Sequence, residues 1–190
     1  YNPHGITIDS SGDIYVVDTL NHRVQKFNSS GVYQSQFGSY GSGDGQFNEP
    51  RGIAVDSSGN VYVADTKNCR IQKFNSSGVF QLKTGGIGSG NGQFNEPQAV
   101  ATDSTGNIYV SDTYNHRIQK LNSSGVYQSK FGALGSGNSQ FNLPRNIVID
   151  SSDNIYVADY SNNRIQKFNS SGTYQYQLGG FSYLTGIAVD

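Results

Sequence analysis

The chain has 190 residues, sets 13 Lys and Arg against 14 Asp and Glu, and is 34% apolar. A formal net charge of −1 leaves no basic field to draw nucleic acid or an anionic bilayer, and no apolar stretch approaches the roughly 20 residues of a membrane helix, so neither nucleic-acid binding nor membrane insertion is expected. Cys69 is the single cysteine, which excludes an internal disulfide, and the lack of any Met makes the chain read as a fragment or processed form.

The first element is the apolar run Gly5-Ile6-Thr7-Ile8-Asp9, and it returns every 47 residues behind Pro3, Pro50, Pro97 and Pro144, closing at Asp9, Asp56, Asp103 and Asp150. In the second copy the run Ile53 to Asp56 meets the turn Ser57-Ser58-Gly59-Asn60. Val61 to Asp65 then alternates with period two, as a strand does whose two faces both meet neighbours. After Thr66-Lys67-Asn68-Cys69 comes Arg70 to Phe74, the turn Asn75-Ser76-Ser77-Gly78, and a fourth strand over Val79 to Thr84. No run has the i, i+3, i+4 spacing of an amphipathic helix.

A fixed period containing four short strands predicts an all-β propeller of four-stranded antiparallel blades, since one such sheet cannot bury both faces alone. The blades fall at about 1–47, 48–94, 95–141 and 142–180 of a single domain over 1–190. After Leu178-Gly179-Gly180 the linking loop is seven residues shorter than its counterparts, and Gly186 to Asp190 is expected as the first strand of a partial fifth blade over 181–190.

GIAVDSSGNVYVADT followed by RIQKF, with Asn21-His22-Arg23 and Asn115-His116-Arg117, resembles the NHL repeat in register through all four copies. The second copy has Asn68-Cys69-Arg70 at that place and the fourth Asn162-Asn163-Arg164. The resemblance implies a propeller commonly of six blades, so this array is expected to belong to a larger ring or to self-associate through uncovered blade faces. It also implies a binding platform, as in tripartite-motif proteins and the extracytoplasmic sensors of bacterial receptor kinases.

Propeller loops joining one blade to the next emerge on the same face as those joining second to third strands, and function is expected there. Just before each first strand, at the channel mouth, stand His4, Arg51, Gln98, Arg145 and Thr185, while Gly52, Ile53, Val55 and Asp56 beside them repeat closely. A ring of unlike polar residues suits an asymmetric ligand, and two arginines favour an acidic group on it. The competing reading is drift at a tolerant loop end. A wider ring contains Leu20, Lys67, Tyr114 and Ser161 with His22, Cys69, His116 and the adjacent Tyr160. Its His and Cys are zinc-binding types, but equivalent loops on successive blades lie too far apart for ligands that must sit within roughly 2.0 to 2.3 Å of one ion.

Asp18, Asp65, Asp112 and Asp159 each precede an arginine by five residues, Arg23, Arg70, Arg117 and Arg164. Recurrence in every blade favours bracing of the loop over catalysis, which is needed once. The Asp9-to-Asp13 and Asp150-to-Asn154 turns lack the acidic pattern of a calcium loop, and the Gly-rich inserts lack the lysine and helix of a phosphate loop. No cofactor or metal is expected. Asn28, Asn75, Asn122 and Asn169 head Asn-Ser-Ser sequons on the face opposite the long loops, which fits an extracellular or cell-surface protein, although Asn-Ser-Ser-Gly is equally good turn chemistry.

The leading expectation is a non-enzymatic binding or scaffold module taking a protein or peptide ligand on its loop face. The alternatives are a glycan-binding propeller, from Tyr40, Tyr114 and Tyr160 among many Asn and Gln, and an RNA-binding one, although Arg51, Lys67 and Arg145 are offset by Asp44, Glu49 and Glu96. A lyase-like enzyme is the remaining alternative. The resemblance extends to the peptidyl-hydroxyglycine lyase, whose activity needs metal-ligating histidines around the channel, where only His4 stands.

Overall fold

The computed structural model describes residues 2–189; Tyr1, where the first blade was expected to begin, and Asp190, where the fifth first strand was expected to end, lie outside the described residues. The strands form four antiparallel sheets, each in sequence order. Blade 1 is β1 (Pro3–Ile8), β2 (Ile14–Asp18), β3 (Arg23–Phe27) and β4 (Tyr33–Phe37), and blade 2 is β5 (Pro50–Val55), β6 (Val61–Asp65), β7 (Arg70–Phe74) and β8 (Phe80–Gly85). Blade 3 is β9 (Pro97–Thr102), β10 (Ile108–Asp112), β11 (Arg117–Leu121) and β12 (Tyr127–Phe131), and blade 4 is β13 (Pro144–Ile149), β14 (Ile155–Asp159), β15 (Arg164–Phe168) and β16 (Tyr174–Gly179).

Turn chemistry sets the hairpins. The Asp56 carboxylate accepts the backbone N–H groups of Ser58 and Asn60, both at 2.9 Å, and Gly59 supplies the positive φ of 79° that the reversal requires. The next hairpin repeats the device with the Asn75 side-chain Oδ1 accepting from the backbone N–H groups of Ser77 and Val79. Val79 is therefore part of the turn, and the fourth strand runs one residue later than expected, from Phe80 to Gly85.

The period-two pattern of β6 is divided between two inter-blade cores. Val61 and Val63 pack with Ile53 and Phe74 against blade 1, while Tyr62 and Ala64 pack with Val100 and Ile108 of blade 3. Phe47, Phe94 and Phe141 come from the long loops and are fully buried between blades. Each second-strand tyrosine also sends its hydroxyl to the first-turn aspartate, as Tyr62 does to Asp56 at 2.9 Å, with the ammonium of Lys73 lying 5.1 Å from its ring centroid. Burial, then the Asp56 carboxylate, pushes the Tyr62 phenol well above its ordinary value, so it stays a donor.

Inner strands β1, β5, β9 and β13 pack side by side in that order, so the chain is a succession of propeller blades about one channel. The far face of blade 1 is uncovered. Ile6 is 66% exposed and Ile8 61%, whereas Ile53 and Ile147, at the position of Ile6 in blades 2 and 4, are 8% and 2% exposed. The expected fifth first strand does not form within the described residues: from Gly180 to Val189 there is no strand, since the described residues hold no second strand to pair with it in a ladder. This segment lies along the channel instead, with the Asn146 side-chain amide 3.4 Å from the Thr185 carbonyl oxygen.

Candidate functional site

Each inner strand starts at a proline, which fixes φ and needs no partner for an N–H. The residue before that proline turns the chain out of the long loop in the left-handed region, at φ 46° for Glu49, 48° for Glu96 and 54° for Leu143. The residue after it is delivered to the channel mouth. His4, Arg51, Gln98, Arg145 and Thr185 all line one cavity of about 830 Å3.

The two arginines dominate its electrostatics. Among the described residues the one carboxylate paired with Arg51 is Glu49, at 3.9 Å from Nη2, and the Arg51 Nε–H is buried without an acceptor. Arg145 lays its guanidinium 3.4 Å from the ring centroid of Tyr160, and its Nε–H is likewise buried with no acceptor among the described residues. A buried donor left unmatched costs about 1–3 kcal/mol, and because neither Nε is exposed, an acceptor entering the mouth gains these donors only with a shift of the side chain. Burial, then the charges of Arg51 and Arg145, hold the His4 imidazole below its ordinary value, which favours its neutral form.

Two residues at the mouth were not singled out, or were placed only on the wide ring, by the sequence reading. Asn146 stands where the other blades have Gly5, Gly52 and Ala99; a Cβ at Gly5 would collide with the Arg51 carbonyl oxygen, and one at Gly52 would come within 2.6 Å of the Ala99 Cα. Among the described residues no strand packs against the far side of β13, so no such contact limits Asn146 there. Tyr160 opens the turn between β14 and β15, where the wide ring was expected, and its ring also reaches the mouth by stacking under Arg145. In the other blades its place is held by Thr19, Thr66 and Thr113, whose hydroxyls donate to the carbonyls of Pro50, Pro97 and Pro144 at 2.8 Å each. The signal was present in the repeat alignment, as a Gly-to-Asn and a Thr-to-Tyr change in one blade.

The wide ring is largely structural. His22 and His116 sit in the left-handed conformation at φ 54°, ending short 3-10 turns, and their Nδ1 atoms accept the backbone N–H groups of Glu49 at 3.1 Å and Leu143 at 3.2 Å. Cys69 takes the same backbone conformation and is buried, and Asn163 does so in blade 4. Lys67 pairs with Glu96 at 2.8 Å, and Tyr114 stands half exposed. Among the described residues no three His, Cys, Asp or Glu side chains gather as a metal site.

The recurrent Asp and Arg residues do pair, at 2.7 to 2.9 Å in every blade. Their reach extends further than the local loop. Arg70 sends its remaining N–H groups to the carbonyls of Ser42, Gly43 and Gln46, the long loop of the preceding blade, and Arg117 and Arg164 do the same one and two blades on. Gln72 adds a donor to the Gln46 carbonyl and an acceptor for Gly45 N–H. Loops braced in this way hold Tyr40, Ile87 and Leu134 at equivalent positions, each more than 60% exposed.

The family model for the NHL repeat matches residues 1–27, 47–74, 94–121 and 141–168. A stretch of 44 residues is 43% identical to Protein brain tumor of Drosophila melanogaster, covering 23% of this chain and 4% of that protein. Catalytically inactive virginiamycin B lyase from Staphylococcus aureus, with Quinupristin, superposes with a TM-score of 0.71 at 16% identity over 93% of this chain and 55% of its own. The nidogen/laminin complex superposes with a TM-score of 0.73 at 18% identity, over 95% and 66%. At those identities the likeness is one of fold. The chain spans a small part of its curated relative and less than two thirds of these solved chains.

Proposed function

Because the chain belongs to the NHL repeat family, we propose that it is a non-enzymatic binding module that takes a protein or peptide ligand on the loop face of its propeller. The observation that carries this reading is the contrast within each long loop. Phe47, Phe94 and Phe141 are fully buried, while Tyr40, Ile87 and Leu134, bridged to them by backbone pairing, are turned to solvent on the same braced segment. Apolar side chains repeated on a rigid frame present contact area whose ordering cost is already met by the fold. Replacing Tyr40, Ile87 and Leu134 together by Asp is expected to abolish capture of whatever protein the parent chain retains on a resin, with circular dichroism unchanged. Undiminished capture by that variant would move the site off the long loops.

The uncovered face of blade 1 supports self-association as a second interaction. Ile6, Ile8 and Tyr33 are exposed where the corresponding residues of blade 2 pack against a neighbour. Light scattering on the purified chain is expected to give a mass above 20.6 kDa that falls to the monomer value with Ile6→Lys. A monodisperse parent monomer would rule this contact out.

A further inference from the structure

We propose that the channel mouth binds a carboxylate of a peptide ligand, clamped by Arg145 and Arg51; this rests on the binding-module reading and names the chemistry of the ligand. Near-identical repeats separate packing from function, because what packing requires recurs. Around Arg145 the recurrence stops. Asn146 replaces Gly or Ala, Tyr160 replaces Thr, and the loop that follows β16 is seven residues short, so one side of the mouth differs from the rest in several places at once.

The arginines themselves divide into two kinds. Arg23, Arg70, Arg117 and Arg164 each spend Nε on a carboxylate of their own blade. Arg51 and Arg145 are the ones whose Nε–H is buried with no acceptor among the described residues. Tyr160 holds the Arg145 plane at 3.4 Å, which fixes the guanidinium and leaves its edge available for hydrogen bonds in that plane. Among the described residues no carboxylate pairs with Arg145, and Arg51 has only Glu49, at the limit of an ion pair.

An arginine fork pairs with a carboxylate or a phosphate alike, so the choice of carboxylate follows from the binding-module reading, in which the ligand is a peptide whose own acidic groups enter the channel. The Gln98 and Asn146 side chains, on β9 and β13, line the same cavity and add uncharged donors. At about 830 Å3 the cavity admits several residues of peptide, so a side-chain or terminal carboxylate can reach the mouth with its neighbours inside the channel.

Calorimetric titration of the chain with three probes tests this: end-blocked triglutamate, end-blocked triglutamine and inorganic phosphate. Triglutamate is expected to bind, triglutamine not to bind, and phosphate to bind more weakly than triglutamate because it brings no peptide into the channel. Arg145→Gln and Arg51→Gln should each weaken triglutamate about tenfold or more. Tyr160→Thr restores the residue used in the other three blades and should weaken triglutamate without lowering the melting temperature. Equal affinity for triglutamine, tighter binding of phosphate, or Gln variants that match the parent would each overturn the proposal. A Tyr160→Thr variant that binds as the parent does, or that loses stability and affinity together, would remove Tyr160 as the positioning residue for Arg145. If triglutamate fails to bind while a protein is still captured through Tyr40, Ile87 and Leu134, the mouth assignment falls and the binding-module reading stands.

Discussion

Asp65→Ala is expected to lower the melting temperature by about 6 to 20 °C. The Asp65 carboxylate is fully buried and accepts from the Asn48 backbone N–H at 2.7 Å, from Asn68, from Arg70 Nε at 2.7 Å and from Gln72. Removing it leaves the Arg70 guanidinium buried beside a void, a loss of about 3 to 5 kcal/mol, and a chain of this length shifts by roughly 2 to 4 °C per kcal/mol. Two blades are affected together, because Arg70 also fixes the loop over Ser42 to Gln46. Asp18→Ala should cost less, since the Arg23 side chain is 31% exposed and reaches no long-loop carbonyl among the described residues. Scanning calorimetry of both variants decides it. An Asp65→Ala variant melting within about 2 °C of the parent would mean the network contributes little and that its recurrence needs another reason.

Phe94→Ala is expected to cost about 3 to 5 kcal/mol, the range for emptying an aromatic site in a close-packed core. Phe94 lies with Tyr62, Ile71, Val100 and Leu121 where blades 2 and 3 meet, and its ring rests against Gly85 so closely that a Cβ there would come within 2.7 Å. Collapse around the void is restricted because β5 and β9 are held side by side by the rest of the interface. Ile87→Ala, seven residues earlier on the same loop, removes a side chain that is 78% exposed and should change stability by no more than about 0.5 kcal/mol. Urea unfolding of the pair separates the anchored end of the loop from the displayed end. Comparable losses for the two would contradict that division.

The repeat made much of this legible. A step of 47 residues locates every blade, and Asp18 to Arg23 with its three counterparts reads as a brace because it recurs. What recurrence cannot report is the partner across a blade boundary. That Arg70 holds Ser42, Gly43 and Gln46 depends on backbone carbonyls, which carry no residue identity. The role of His22 was hidden for a related reason: its position needs a residue that tolerates φ of 54° and, where it is His, one that accepts the Glu49 N–H, so neither zinc chemistry nor ligand contact is required to explain it. Tyr160 was legible as a departure from Thr but not as the floor under Arg145, since the side chains meet between strands β13 and the turn after β14. The run Gly186 to Val189 matches the sequence of a first strand, yet a strand is a property of a pair, and its partner is not among the described residues.

The backward reach of each arginine gives the array a direction. Every long loop before blade 4 is closed by the blade that comes after it, so coupling runs between immediate neighbours and resembles a one-dimensional chain of linked units rather than a single shared core. In such a chain a change is felt strongly next door and fades within a blade or two. Blades 2 and 3 are clasped from both sides among the described residues, whereas blade 4 carries Asn146 where the others have Gly or Ala and Tyr160 where they have Thr. Repetition keeps the frame constant, and blade 4 departs from it at Asn146 and Tyr160 without disturbing the clasps between its neighbours.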